Sequence, residues 1–197
     1  MSLLYACSSN AGKLREFTAQ LAPASHFDIQ PLPGLAQLTP PREDGATYEE
    51  NAALKALYYS RFSEELVFAD DSGLEVDALG GAPGIHSARF AGPLAGAAQN
   101  NALLLARLAG AAQRRARFVT AISLARQGRL LHTTLGTAAG EILNEPRGFL
   151  GFGYDALFLF TPLGKTFAEL EDAEKFGVSA RGEAFRRLLE WLAALHA

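Results

Sequence analysis

The chain has 197 residues and a mass of 21.0 kDa, a length typical of one domain with its own apolar core. Its single cysteine excludes an internal disulfide framework and a multi-cysteine zinc site. Its net charge of −3 lacks the overall positive charge that is typical of proteins that bind DNA or RNA. The sequence has no apolar run near the ~20 residues of a membrane span and no basic and apolar secretory signal. We therefore expect a cytoplasmic protein that binds neither nucleic acid nor a membrane.

The first half of the chain alternates short apolar runs with helical periodicity. Leu14, Phe17 and Leu21 recur at spacings of three and four, which predicts a helix that begins at 12 and that Pro23 ends. Thr47, with the glutamate three residues later, fits a capping box at the start of another helix. The predicted strands are 3–7, 27–32 and 66–69, the second predicted helix is 47–62, and a proline-rich loop covers 31–41.

The second half adds a hairpin to this alternation. Its predicted elements are a helix over 96–110, paired strands over 117–126 and 130–137, a loop over 148–154, a strand over 156–160 and a helix over 180–195. Alternating strands and helices followed by a hairpin predict an α/β protein with a mixed sheet. The proline-rich loop is the best candidate for a hinge between two lobes, but we expect a single domain over 1–197.

The first segment with a chemical character lies between a strand and a helix. Small and hydroxyl residues let the backbone approach a ligand, and the free N–H groups of a helix start, together with a lysine, attract phosphate. The Walker A pattern is absent, and the alternative is a plain βα turn with an asparagine cap and an exposed lysine. The segment consists of Ser8, Ser9, Asn10, Ala11, Gly12 and Lys13.

Two aspartates, Asp70 and Asp71, follow the predicted strand 66–69 directly. Ligands of open α/β sheets bind beyond the carboxyl ends of strands, where carboxylates hold Mg²⁺ or take a proton from water. Because neighbours in an extended segment point opposite ways, we expect the two aspartates to have different roles. The alternative is a helix cap or an Asx turn, which are common uses of aspartate beside serine and glycine.

Acidic, aromatic and basic residues mark three further segments. The acids around Glu43 either complement the dipole of a helix start or ligate a metal. The glycines of 151–155 would expose two aromatic rings on a mobile loop, where a nucleobase could stack on them and Asp155 could accept hydrogen bonds from the base edge. The alternative is that these two aromatic rings close the core at a turn. Lys175 and Arg181 either reach an anion or a carbonyl acceptor, or are ordinary surface charges.

These segments, in this order, resemble the inosine triphosphate pyrophosphatase family, and within it the bacterial dITP/XTP pyrophosphatases. The resemblance spans nearly the whole chain, and the co-occurrence of the motifs is far more specific than any one of them. The motifs are SNAGK at 9–13, EDGATYEENA at 43–52, ADDSGL at 69–74, LGGAPG at 79–84, SARFAG at 87–92 and GFGYD at 151–155.

The resemblance implies a two-lobed mixed β-sheet with flanking helices and a central substrate cleft, a homodimer, and a requirement for Mg²⁺. The implied reaction is hydrolysis of ITP, dITP or XTP between the α and β phosphates, which gives the monophosphate and pyrophosphate and cleanses the nucleotide pool. These substrates are deaminated purine nucleoside triphosphates.

By position, the resemblance makes Asp71 the catalytic carboxylate, which activates water and binds the metal together with Glu43. It implies substrate contacts from four regions of the chain. These are Ser8, Ser9, Asn10, Ala11, Gly12 and Lys13 at the triphosphate, Ser72 beside the catalytic acid, Phe152, Gly153, Tyr154 and Asp155 at the base, and Lys175, Ala180 and Arg181 at the remaining base and phosphate contacts.

Two positions depart from the family pattern. The family usually has His-Arg before the last helix, whereas this chain has Ala180, so part of the hydrogen bonding to the base edge is missing or replaced. Many members have two acids where this chain has Arg42 and Glu43, which leaves Glu43 as the metal-binding choice.

Other functions stay open at this point. A pyrophosphatase for modified pyrimidine nucleotides, as in the Maf-like proteins, has a related architecture. A haloacid-dehalogenase phosphatase has aspartates that alternate after the strand, unlike the adjacent Asp70 and Asp71. A nucleotide-binding regulator without catalysis would not need Asp71.

Overall fold

The computed structural model describes residues 2–18 and 27–195, which fold into a mixed sheet with helices on both of its faces. The strands are β1 (Ser2–Ala6), β2 (Phe27–Pro31), β3 (Leu66–Val76), β4 (Pro83–Gly84), β5 (Arg115–Arg126), β6 (Arg129–Ile142), β7 (Phe158–Phe160) and β8 (Lys165–Thr166). The helices are α1 (Ala11–Thr18), α2 (Tyr48–Tyr59), α3 (Ala97–Arg107), α4 (Asp172–Val178) and α5 (Ala180–Ala194). In the described part of the chain, no helix is long and apolar enough to cross a membrane.

The sheet is mixed, as the sequence predicts. Its strand order is β2-β1-β3-β5-β6-β7-β8, and β4 pairs with β3 outside this path. Strand β1 is parallel to β2 and β3, and the remaining pairs are antiparallel. The predicted hairpin is confirmed as β5 and β6, and its turn residues Gln127 and Gly128 have φ angles of 49° and 74°, which a two-residue hairpin turn requires.

Two apolar cores lie on the same face of β3, one after the other along the strand. Phe68 belongs to the first core with α1 and α5, whereas Leu74 and Val76 belong to the second with α3. Since side chains alternate along an unbroken strand, Asp70 and Ser72 share this face and lie between the two cores. The sheet therefore places polar side chains in the gap between two apolar cores.

The opposite face of the sheet is covered by α2. The side chain of Thr47 accepts a hydrogen bond from the Glu50 N–H (3.1 Å), and the Glu50 carboxylate accepts one from the Ala46 N–H (2.6 Å), which fixes the start of the helix. The proline-rich loop packs Leu32 into a core that also contains Ala56 of α2. The predicted helix 47–62 is confirmed, with its last three residues forming a separate 3₁₀ turn.

The structure corrects the predicted strand 66–69, which continues as β3 to Val76. Asp70 and Asp71 therefore lie within a strand and not after its carboxyl end. They are tolerated there because β5 pairs with the strand along this stretch and cations from other elements neutralise both carboxylates. They still lie just past the end of β1, whose last residue Ala6 pairs with Phe68.

Three smaller differences concern helix ends and short elements. The short helix α4 was not predicted, and β7 begins at Phe158, two residues later than expected. Leu21 and Pro23, the predicted end of the first helix, lie outside the described residues. The final helix is confirmed as α5, ending one residue before the predicted boundary.

Candidate active site

A cleft of about 560 Å³ opens in the gap between the two cores. It gathers most of the residues that the sequence singles out, although these are spread from the first strand to the last helix. Ala11 and Gly12 are not part of its lining. The predicted residues that line it are Ser8, Ser9, Asn10, Lys13, Glu43, Asp71, Ser72, Phe152, Gly153, Tyr154, Asp155, Lys175, Ala180 and Arg181.

The loop from Ser8 to Lys13 combines features of both predicted interpretations. The Asn10 side chain accepts hydrogen bonds from the N–H groups of Gly12 (2.9 Å) and Lys13 (3.3 Å), so it caps α1 as a plain βα turn would. Lys13, however, is not a freely exposed lysine, because its ammonium lies 2.9 Å from the Asp70 carboxylate inside the cleft. The loop therefore supplies the cleft with a positive charge at a helix start.

The two aspartates have different surroundings because they point to opposite faces of β3. Asp70 pairs with Lys13 and with Arg181 (3.3 Å); burial alone would raise its pKa, but these cations hold it well below the usual range. Asp71 faces α2, where Lys55 lies 3.0 Å from its Oδ1. Burial raises the pKa of Asp71 above its usual range even though Lys55 opposes the shift. Asp71 is therefore the better proton acceptor of the two.

Glu43 and Asp71 converge on one point beside the cleft. The Lys55 ammonium lies 3.2 Å from a Glu43 oxygen and 3.0 Å from an Asp71 oxygen. Over residues 2–18 and 27–195, no cluster of three acids, histidines or cysteines could hold a metal alone. Two carboxylates nevertheless fit Mg²⁺, which is usually held by one or two carboxylates while water and substrate phosphates complete its shell.

A buried network of ion pairs forms the floor of the cleft. Lys175 donates to Glu16 (2.7 Å) and to Asp155 (2.6 Å), and Arg181 contacts both Glu16 and Asp70. Burial would raise the pKa of Glu16, but Arg181 and Lys175 lower it, so Glu16 is held as a carboxylate. The network contains equal numbers of acidic and basic side chains. The acidic residues are Glu16, Asp70 and Asp155, and the basic residues are Lys13, Lys175 and Arg181.

Phe152 is the aromatic ring that meets this network. The Lys175 ammonium lies 4.6 Å from the ring centroid and the Arg181 guanidinium carbon 5.6 Å from it, both within range of cation–π attraction. A Cβ atom added at Gly12 would lie only 2.6 Å from the Phe152 ring. The ring can occupy its position because Gly12 has no side chain. Gly12 thus contacts the aromatic ring and does not line the cleft.

Tyr154 and Asp155 differ from the prediction of rings and acids exposed on a loop. Tyr154 is only 5% exposed, and its hydroxyl donates to the Ser87 carbonyl (2.8 Å), so the core-closing alternative describes this ring. Asp155 is also buried and accepts hydrogen bonds from the Phe152 N–H (2.7 Å) and from Lys175. Its carboxylate is thus engaged in shaping the loop and holding Lys175.

The start of α5 brings Arg181 to the cleft. The Ser179 hydroxyl accepts a hydrogen bond from the Gly182 N–H (3.1 Å) and caps the helix. Ala180 is buried and contributes no polar side-chain atom where the family usually has histidine. The cationic side chains that lie over the Phe152 ring are Lys175 and Arg181.

Several residues that contact the predicted ones were not identified from the sequence. Lys55 and Asn51 lie four residues apart on the side of α2 that also buries Ala52 and Ala56, a spacing that could have revealed them. Glu16 lies three residues after Lys13, so helical spacing places both on one side of α1 and could have revealed it. Thr120, which donates to the Ser72 hydroxyl (3.0 Å), carried no such signal because only the pairing of β5 with β3 brings it there.

Comparisons with known proteins agree with the resemblance that the motifs carry. A family model described as the Ham1 family matches residues 4–191. The dITP/XTP pyrophosphatase of Acidobacterium capsulatum is 49% identical over 195 residues, covering 94% of this chain and 96% of that protein. The dITP/XTP pyrophosphatase of an Exiguobacterium species is 48% identical over 188 residues, covering 95% of each.

Solved structures give the same result for the fold. The Staphylococcus aureus Ham1 protein superposes with a TM-score of 0.85 at 36% identity, covering 98% of this chain and 99% of the other. A HAM1 protein from Coxiella burnetii gives a TM-score of 0.86 at 34% identity, covering 98% and 100%.

Proposed function

The chain belongs to the Ham1 family, and from that premise we propose that it hydrolyses ITP, dITP and XTP to the nucleoside monophosphate and pyrophosphate. One observation carries the proposal. A single cleft contains a basic set at a helix start, two converging carboxylates, and an aromatic ring beside two cations. A nucleoside triphosphate needs all three, because it has an anionic tail, a bond to hydrolyse and a flat base.

The triphosphate would bind where Lys13, Lys55 and Arg181 face the cleft. In the free protein each of these cations is already paired with carboxylates. Lys13 pairs with Asp70, and Lys55 pairs with Asp71 and Glu43. Arg181 pairs with Glu16 and Asp70. Lysine and arginine each have several donors, so these cations can bind phosphate oxygens while they keep their carboxylate partners.

Hydrolysis would depend on Asp71. Its carboxylate would take the proton of the water that hydrolyses the bond between the α and β phosphates, with release of pyrophosphate. Mg²⁺ held by Asp71, Glu43 and phosphate oxygens would neutralise negative charge on the triphosphate and lower the pKa of bound water. Lys55, lying between the two carboxylates, aligns them for this work.

The base would stack on Phe152, with Lys175 and Arg181 close to its edge. ITP and XTP have an oxygen at purine position 6, which accepts hydrogen bonds from such cations, whereas ATP has an amino group that donates. A hydrogen-bond donor of ATP that faces a donor of the protein in a buried site would reduce kcat/KM for ATP relative to ITP by a factor of about 10⁴. GTP shares the oxygen, and with Ala180 supplying no polar group we expect GTP to be rejected less completely than ATP.

A pyrophosphate-release assay over ITP, dITP, XTP, GTP and ATP, with and without Mg²⁺, tests the proposal. We expect rapid release from the first three, a requirement for Mg²⁺, and pyrophosphate as the leaving product. Equal hydrolysis of ATP and ITP would contradict the donor pocket, while orthophosphate release or full activity in chelator would contradict the mechanism. Preference for a modified pyrimidine triphosphate in the same assay would favour the Maf-like alternative.

The proposal includes a homodimer that works in the cytoplasm, as the family resemblance implies. An enzyme that cleanses the nucleotide pool acts where nucleotides are held, which supports the location. Sedimentation equilibrium tests the assembly, since a dimer has twice the 21.0 kDa mass of the chain. A single species at the monomer mass across micromolar concentrations would overturn it.

A further inference from the structure

Asn101, a residue of α3, contacts the loop that carries the aromatic platform. Its side-chain Nδ2 donates a hydrogen bond to the main-chain carbonyl of Gly153 (3.1 Å), which is 52 residues away in the sequence. Gly153 lines the cleft and directly follows Phe152. Asn101 is not itself part of the cleft lining, so any effect on substrate must pass through the loop.

The other half of the Asn101 amide is left unsatisfied. Its Oδ1 atom is buried and has no hydrogen-bond partner among the residues that the structure describes. A buried acceptor without a partner destabilises a fold, whereas an apolar side chain of similar size would avoid this cost. Packing of α3 therefore does not explain the asparagine, and the remaining reason for an amide is the bond that it donates to Gly153.

The loop needs such a bond at this point. Gly151 and Gly153 both have positive φ angles, 72° and 63°, and glycine has more conformational freedom to lose than any other residue. Tyr154 is anchored through Ser87 and Asp155 through Lys175, and the Asp155 side chain and N–H bond in turn to the N–H and carbonyl of Phe152. Gly153 lies between these anchored residues, and the Asn101 bond holds its carbonyl from α3.

We propose that Asn101 is a positioning residue that fixes the Phe152 ring for stacking with the base. The inference rests on the proposed function, since it concerns the base site of that reaction. It predicts a selective defect: loss of the Asn101 donor weakens binding of a purine nucleotide but not of a triphosphate without a base. The freed Gly153 carbonyl can bond to water because this residue borders the cleft, so the fold need not lose stability.

The test uses two substitutions and one matched control in the full chain. Asn101→Leu removes both the donor and the buried unpaired acceptor, and Asn101→Asp removes the donor while keeping the shape. Gln99→Ala is the control on the same helix, because Gln99 accepts a hydrogen bond from the Gly96 N–H (2.9 Å) and so supports α3 without touching the loop. The readouts are KM and kcat for ITP, the inhibition constant of inorganic tripolyphosphate, the melting temperature, and amide hydrogen exchange over 151–155.

For Asn101→Leu we expect the KM for ITP to rise about fivefold, as for loss of one hydrogen bond, with kcat and the tripolyphosphate inhibition constant within about twofold of wild type. The melting temperature should not fall, and exchange over 151–155 should become faster in the ligand-free protein. Asn101→Asp should show the same selective rise in KM. Gln99→Ala should lower the melting temperature and leave KM and exchange unchanged.

Three outcomes would overturn the inference. These are an unchanged KM for ITP, unchanged hydrogen exchange over 151–155, and an equal rise in KM and in the tripolyphosphate constant, which would mean that the whole cleft is distorted. If the wild-type chain releases no pyrophosphate from any purine triphosphate, the proposed function fails separately. Hydrogen exchange then decides for Asn101, because unchanged exchange over 151–155 would show that it does not hold the loop.

Discussion

Asp70 and Asp71 show how one peptide bond separates two kinds of carboxylate. Asp70 points toward Lys13 and Arg181, and their charges keep it ionised, so it organises cations and is a poor base. Asp71 points toward α2, where burial raises its pKa and a single lysine is shared with Glu43. The alternation of side chains along β3 produces this division of roles, as the sequence predicts.

Replacing Asp71 with asparagine should remove most turnover and leave the fold intact. The substitution keeps the shape but removes the negative charge that would bind metal and accept a proton. We expect less than about a tenth of the wild-type rate, a loss above ~1.4 kcal/mol in transition-state stabilisation. Asp77→Asn is the matched control, because Asp77 lies just after the same strand and pairs with Arg115 at the surface. A variant with normal melting and more than a tenth of the rate would contradict this role.

Replacing Glu16 with glutamine should destabilise the protein markedly. Glu16 is 1% exposed and lies between Lys175 and Arg181, so its loss leaves two buried cations short of negative charge. Breaking a buried pair costs about 3–5 kcal/mol, which for a chain of this size lowers the melting temperature by roughly 6–20 °C. Glu174→Gln, which breaks a surface pair with Lys165, should change it little.

The pH dependence of stability, compared between wild type and Glu16→Gln, tests whether the charge of Glu16 stabilises the fold. Because the folded-state pKa of Glu16 lies below its ordinary value of 4.5, ionised Glu16 stabilises the fold above that pH. The contribution is lost as the pH falls through the folded pKa. The difference in melting temperature between wild type and Glu16→Gln should therefore be largest near neutral pH and shrink below pH 4.5. A difference that is constant with pH would contradict a stabilising role for the charge of Glu16.

At the scale of elements, α2 connects a sequence signal to the site. Thr47 caps the helix, and the turns that follow carry Asn51 and Lys55 to Asp71. Thr47→Ala removes the cap and should cost about 1 kcal/mol, or roughly 2–4 °C in melting temperature. Turnover should persist, since the contacts to Asp71 come from later turns, and Thr47→Ser should restore stability. A large loss of rate in Thr47→Ala without melting change would contradict this separation.

Elements with local signals were predictable from the sequence. The cap of α2, the β5–β6 turn and the amphipathic pattern of α5 each depend on residues close together in the chain, and all three are confirmed. The end of β3 was not predictable in this way. Two aspartates indicate the end of a strand, but their counter-charges Lys13, Lys55 and Arg181 come from other elements, and these ion pairs allow the strand to continue.

The same reasoning applies to the candidate site. The motifs identify the cleft residues by type, because lysine, aspartate and phenylalanine each indicate a ligand chemistry. They do not indicate direction. Tyr154 and Asp155 border the cleft but are buried, because their polar atoms bond to Ser87 and Lys175, partners that only the folded chain brings near. Gly12, which the resemblance assigns to the triphosphate, also leaves room for the Phe152 ring.

At the scale of the whole molecule, the two cores share their strands, which predicts a single domain that unfolds in one cooperative transition. Strand β3 runs from Phe68 in the first core to Leu74 in the second, so neither core can unfold without breaking strands of the other. Leu188→Ala in the first core and Leu104→Ala in the second each create a cavity. Each should lower the free energy of unfolding by about 3 kcal/mol and the melting temperature by roughly 6–12 °C. Calorimetry should show both variants shifting the same single transition, with equal calorimetric and van't Hoff enthalpies. Two transitions, each moved by only one variant, would mean that the cleft separates independent domains and not two halves of one sheet.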